Sequence, residues 1–100
     1  MQKEMNTQTI VNQLRLELPR IRREYAVASL GLFGSYVRGA QCKRSDLDVL
    51  VQFSKVPGRL GFLALERDLS QLHGVSVDLV QKEALKPSIG KRILEEVVSI

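Results

Sequence analysis

By type and spacing, Asp46, Asp48 and Asp78 are the residues of this sequence best suited to hold a hard cation. Side chains alternate across a strand. In the run from Asp46 to Phe53 this puts Leu47, Val49, Val51 and Phe53 on one face and Asp46, Asp48, Leu50 and Gln52 on the other. A second run, Val75 to Gln81, sends Val75, Val77 and Leu79 one way and Ser76, Asp78 and Val80 the other. If both apolar faces pack on the same helical layer, the carboxylates of Asp46, Asp48 and Asp78 emerge together on the opposite surface. Like charges that close repel, and one of them takes up a proton unless a cation compensates. Mg2+ prefers oxygen ligands, usually carboxylates together with substrate phosphates. The trio is therefore a candidate one- or two-metal site. An Asp-x-Asp pair alone is ordinarily a solvated face, so the reading leans on Asp78 and on a nearby turn.

That turn is Gly34-Ser35, where an apolar run passes directly into a short helical turn. Glycine lets the backbone approach a ligand closely, and exposed amides at a helix start favour phosphate. The Ser35 hydroxyl adds a hydrogen-bond donor. Arg38, one turn on, can reach the same anion or pair with an acidic side chain. The plainer alternative is a tight strand-to-helix turn with Ser35 as N-cap. Ten residues, Tyr36 to Ser45, separate Ser35 from Asp46. A phosphate cradle at the end of one strand would then stand beside carboxylates on the next, the arrangement that phosphoryl or nucleotidyl transfer needs.

The elements that must position these groups are legible in the hydrophobic pattern. From Asn6 to Glu24, Ile10, Val11, Leu14, Leu18 and Ile21 recur at helical spacing, with Asn6 or Thr7 as N-cap. Leu14, Leu16 and Leu18 would also suit a strand, but the length of the segment favours helix. Ala26 to Phe33 reads as a strand buried on both faces and central in its sheet. Ser35 to Ala40 forms the helical turn closed by Gly39, and Gln41 to Ser45 a polar loop. Asp46 to Phe53 is the second strand, stopped by Pro57-Gly58. A helix from about Arg59 to His73 follows, with Gly74 at its end, then a third strand from Val75 to Gln81. After Pro87, Ile89, Ile93, Leu94, Val97 and Val98 mark a last helix. The order α-β-α-β-α-β-α predicts an α/β fold, a small mixed sheet flanked by helices, with residues 1–100 as a single domain.

Composition excludes some classes of function. The chain has no apolar run near the roughly 20 residues of a membrane helix and no secretory apolar core at its N-terminus. Its single cysteine, Cys42, rules out an intramolecular disulfide, and a cytoplasmic setting is the expectation. The net charge of +4 suits a phosphate ligand, RNA or an acidic partner without choosing among them.

The stretch Gly34-Ser35-Tyr36-Val37-Arg38-Gly39, the ten-residue gap and Ser45-Asp46-Leu47-Asp48-Val49-Leu50-Val51 closely resemble the minimal nucleotidyltransferase branch of the DNA polymerase β superfamily. Val77-Asp78-Leu79-Val80 and the Lys86-Pro87 entry to the last helix match that family as well. The resemblance covers nearly the whole chain, with no departure at the acidic positions. It implies the polymerase β-like nucleotidyltransferase fold, with ATP as substrate and one or two Mg2+ ions. Asp46, Asp48 and Asp78 would be the metal and catalytic carboxylates, Asp78 also helping to activate the attacking hydroxyl. Gly34, Ser35 and Arg38 would bind the nucleotide. Members are often paired with a HEPN-domain ribonuclease toxin, whose tyrosine they adenylylate as its antitoxin; a homo- or hetero-oligomer is compatible with this. The alternative is a non-catalytic module that neutralises the HEPN partner by covering it.

Other residues carry plainer expectations. His73 reads as a C-terminal cap interaction. Arg20, Arg22 and Arg23 complement a helix dipole, with RNA binding the weaker reading. Lys43 and Arg44 face solvent, the nucleotide or the acceptor. Tyr36 packs on the surface or stacks on a base. The apolar C-terminus of Val97, Val98 and Ile100 continues the core or meets a partner.

Overall fold

The computed structural model describes residues 7–39 and 46–100. Helix α1 spans Thr7–Tyr25 and buries Ile10, Val11, Leu14 and Ile21, the expected stripe, while Leu16 is 81% exposed. That exposure excludes the strand alternative, in which Leu14, Leu16 and Leu18 would share a face. Of the two N-cap candidates, Asn6 lies outside the described residues. Thr7 stands inside the helix, and its hydroxyl donates to the Tyr36 carbonyl at 2.6 Å.

Strand β1 (Val27–Phe33) leads through Gly34 into the one-turn helix α2 (Ser35–Arg38), closed by Gly39. Strand β2 (Leu47–Phe53) is followed by helix α3 (Arg59–His73), whose bounds and Gly74 cap are those expected from the leucine spacing. Strand β3 (Val77–Gln81) starts two residues later than the pattern suggested, with Val75 and Ser76 in the approach to it. A single 3-10 turn, Lys82–Ala84, then leads to helix α4 (Pro87–Glu96), which has its proline in the first turn, where the missing N–H costs nothing. Chain beyond it forms strand β4 (Val98–Ser99), which the sequence pattern did not separate from the last helix. Ala40 and the loop Gln41 to Ser45, with Cys42, Lys43 and Arg44, lie outside the described residues.

The mixed sheet has the order β3-β2-β1-β4. β1 runs antiparallel to both β2 and β4, and β2 runs parallel to β3. β1 is thus interior, as its composition implied, although Ala28 and Ser29 are exposed beside a register shift. One sheet face carries Leu30, Leu32, Leu47, Val49, Val51, Val77 and Leu79, all buried with Leu14, Ile21, Leu65 and Leu69 in one core. Both apolar strand faces therefore do pack on one layer, made by α1 and α3. Among the described residues no helix is long and apolar enough to cross a membrane.

Candidate active site

The second sheet face carries the acids. In the parallel β2–β3 ladder Asp48 is the direct partner of Asp78, and Leu47 that of Val77. Asp46 precedes β2 by one residue, and the Leu47 N–H bonds the Ser76 carbonyl at 2.8 Å, so pairing continues at that level. On the other side, Asp48 pairs with Phe33, the last residue of β1. Asp48 is half-buried, whereas Asp46 and Asp78 are exposed. The Asp48 carboxyl is pushed up to about 6 by its burial first, then by the negative charges of Asp78 and Asp46, with Arg38 opposing. Direct partners in a parallel ladder present their side chains on the same sheet face, so Asp48 and Asp78 stand side by side, as strand alternation implied. Among the described residues no His, Cys, Asp and Glu side chains form a ready-made metal cage. Carboxylate oxygens on one sheet face are nonetheless the donor type that Mg2+ takes, which ordinarily completes its shell with water and substrate phosphate.

Gly34 lies over this cluster. Its backbone stands at φ 83°, ψ −155°, a region essentially restricted to glycine. A Cβ at this position would fall on the Asp48 carboxylate. Both the turn and the close approach therefore need glycine. The Gly34 carbonyl receives the Val37 and Arg38 N–H groups, each at 3.1 Å, which sets α2 off from the strand end. Gly34, and not Ser35, is the N-cap of α2, and no side-chain bond caps that end. Tyr36 is buried in the core, neither at the surface nor offered to a base, because α2 turns it beneath the sheet end where α1 reaches its carbonyl.

Arg38 takes the acidic of its two expected partners. Its Nη1 donates to Glu96 Oε1 at 3.0 Å and Oε2 at 3.1 Å. The Gly34 N–H donates to the same carboxylate at 2.9 Å. Glu96 was missed in the sequence because nothing near it announces a site; only the docking of α4 brings it to residues 62 positions away. Arg92 and Glu96 sit four apart and therefore share a helix face, and both border a hollow of about 280 Å3 that Gly34, Arg38 and Asp48 also line.

The remaining candidates fall elsewhere. Arg20 is held by Asp68 through two bonds of 3.0 Å and by Glu17 at 2.7 Å, tying α1 to α3. Arg22 and Arg23 stand exposed in the last turn of α1. His73 is no surface cap: it is 1% exposed, and its Nδ1 meets Gln13 Oε1 at 2.9 Å. It follows Leu65 and Leu69 at four-residue steps, the signal that assigns it to the buried stripe.

Comparison with known proteins adds a family to this geometry. The family described as a nucleotidyltransferase domain matches residues 11–100. The protein adenylyltransferase MntA of Thermococcus cleftensis is 46% identical over 80 residues, 80% of this chain and 81% of the relative. A solved structure described as a proposed minimal nucleotidyltransferase superposes with a TM-score of 0.82 at 29% identity, covering 99% of this chain and all of that one. A tri-AMPylated HEPN toxin of Shewanella oneidensis in complex with its MNT antitoxin shares the fold, with a TM-score of 0.59 at 20% identity over 92% of this chain and 66% of that one.

Proposed function

Because this chain belongs to the nucleotidyltransferase-domain family, we propose that it is a Mg2+-dependent protein adenylyltransferase that moves AMP from ATP to a tyrosine hydroxyl of a HEPN-domain toxin and so serves as its antitoxin. The observation that carries this reading is the ladder pairing of Asp48 with Asp78 directly beneath the Gly34 turn. The name of the Thermococcus relative supports the adenylyl donor and a protein acceptor. The complex with the tri-AMPylated toxin, alike in fold, suggests the partner class.

Asp46, Asp48 and Asp78 would hold the metal, which when bound would supply charge neutralisation for the transferred phosphoryl group. Gly34 and Ser35 receive the triphosphate at the turn, and Arg38 adds a guanidinium suited to phosphate. The acceptor hydroxyl oxygen bonds to the α-phosphorus as the bond to pyrophosphate breaks. Its proton passes to the Asp78 carboxylate, which is exposed where Asp48 is half-buried. Pyrophosphate leaves with the electron pair.

The purified protein, incubated with its HEPN partner, Mg2+ and ATP labelled at the α-phosphate, is expected to transfer label to the partner, while label at the γ-phosphate stays in solution. The Asp46→Ala, Asp48→Ala double variant should lose about a hundred- to a thousandfold in rate, the equivalent of several kcal/mol of charge stabilisation. Undiminished transfer by that variant rejects the site. Neutralisation of the ribonuclease by the variant without any transfer points instead to a module that acts by covering its partner.

A further inference from the structure

Glu96 places an anion on groups that the proposed reaction needs for another anion. The carboxylate takes the Gly34 N–H at 2.9 Å and both bonds from Arg38. It is delivered by the last residue of α4, immediately before β4 pairs with β1. A backbone N–H directed at one carboxylate oxygen cannot serve a phosphate oxygen at the same time. A triphosphate entering with Glu96 in place would also meet one more negative charge beside Asp48, Asp46 and Asp78. Neither partner is locked by burial: the side chains of Arg38 and Glu96 are 58% and 27% exposed.

We propose that Glu96 is an intramolecular stand-in for the nucleotide's phosphate, a latch that closes the Gly34–Arg38 cradle in the free chain and is displaced when nucleotide binds. This rests on the assignment of Gly34 and Arg38 to the triphosphate made above. The apparent nucleotide affinity is then the intrinsic affinity reduced by the fraction of molecules with Glu96 released. Because the same carboxylate ties the end of α4 to the β1–α2 turn, nucleotide binding also frees that end of the helix. A permanent brace, which would hold Gly34 and Arg38 ready for the substrate, makes the opposite prediction for affinity.

Titration calorimetry of the full chain with Mg2+ and AMP-PNP separates the two. Glu96→Gln keeps the shape and removes the charge, and it is expected to bind about three- to tenfold more tightly than the unaltered protein. In amide NMR spectra the Gly34 resonance of the free protein should shift in Glu96→Gln, and nucleotide should shift both the Gly34 and the Val97 resonances of the unaltered protein. Equal or weaker binding by a Glu96→Gln protein with a native spectrum overturns the latch. Should that variant lose its native spectrum, Glu96→Asp, too short to span both donors, is expected to bind more tightly, and equal or weaker binding overturns the proposal there. Binding by the unaltered protein without any gain in the variants removes the latch and leaves the proposed function standing. Failure of every form to bind AMP-PNP removes both.

Discussion

Gly34 and Asp48 illustrate how tightly two side-chain choices are linked. A Gly34→Ala substitution asks alanine to adopt φ 83° and drives its methyl group into the Asp48 carboxylate. The backbone strain alone costs about 1–3 kcal/mol, and a urea titration should show at least that loss together with abolished label transfer. The Asp48 carboxyl has the opposite character, with folding raising it from 3.8 to about 6. A raised acid contributes stability below its unfolded value and loses it as pH rises through the folded value. The metal-free protein should accordingly lose stability between about pH 4 and pH 6 from this group. Asp48→Asn is expected to melt higher than the unaltered protein at pH 8, with the advantage disappearing below pH 3.8. Added Mg2+ should raise the melting temperature of the unaltered protein at pH 8 and leave that of the variant nearly unchanged.

Helix α3 does more than cover the sheet. Its Glu66 carboxylate accepts the Leu79 N–H at 2.9 Å, and its Ser70 hydroxyl accepts the Val77 N–H at 3.1 Å, so the outer edge of β3 is occupied instead of left open to another strand. Asp68 on the same helix grips Arg20 and receives the Tyr25 hydroxyl at 2.7 Å. The Arg20 guanidinium and Tyr25 hold its carboxyl below the usual range, so this contribution is present above pH 3.8 and is lost as pH falls through the lowered value. With Arg20 and Asp68 still 30% and 23% exposed, Asp68→Ala is expected to cost only about 1–2 kcal/mol at pH 7. Chemical denaturation at pH 7 and pH 3 would show the difference shrinking with acid. His73 adds a second acid-sensitive contact: burial lowers its pKa below 6.5, so stability is present above that value and lost as pH falls through the depressed one. Gln13 has to meet Nδ1 at the same time, which fixes where α1 lies along α3.

One sheet serves two purposes because its faces are separated by strand alternation. The face against α1 and α3 is apolar and buried; the other gathers carboxylates, the Gly34 turn and α4. Damage to one face should therefore be separable from damage to the other. Leu65 is fully buried, and Leu65→Ala should cost about 2–5 kcal/mol of stability. Well below its melting temperature the variant should bind AMP-PNP with unchanged affinity by calorimetry. A parallel loss of affinity would show that the core and the site are not independent. The approach to the second face is also close: a Cβ on Gly31 would lie 2.6 Å from Val97 Cγ2, so β1 admits the chain at the end of α4 only through a missing side chain.

The amino-acid order alone placed the strand faces, the helix stripes of α1 and α3, the glycine turn and the carboxylates, because each depends on neighbours a few positions apart: a period of two, a period near 3.6, a backbone angle open to glycine. The bounds of α3 and the placing of Asp48 and Asp78 on one sheet face were legible for that reason. Strand β4, the burial of Tyr36 and His73, the engagement of Arg20 and the seat of Glu96 were not. Val98-Ser99 has too few residues to show a period, and its pairing with Leu32 and Gly31 comes from distant chain. Glu96 reads as one more acid on an exposed helix until α4 docks and sets it on an amide 62 residues away. Contacts between remote segments are settled by packing of the assembled layers, and no local pattern encodes them.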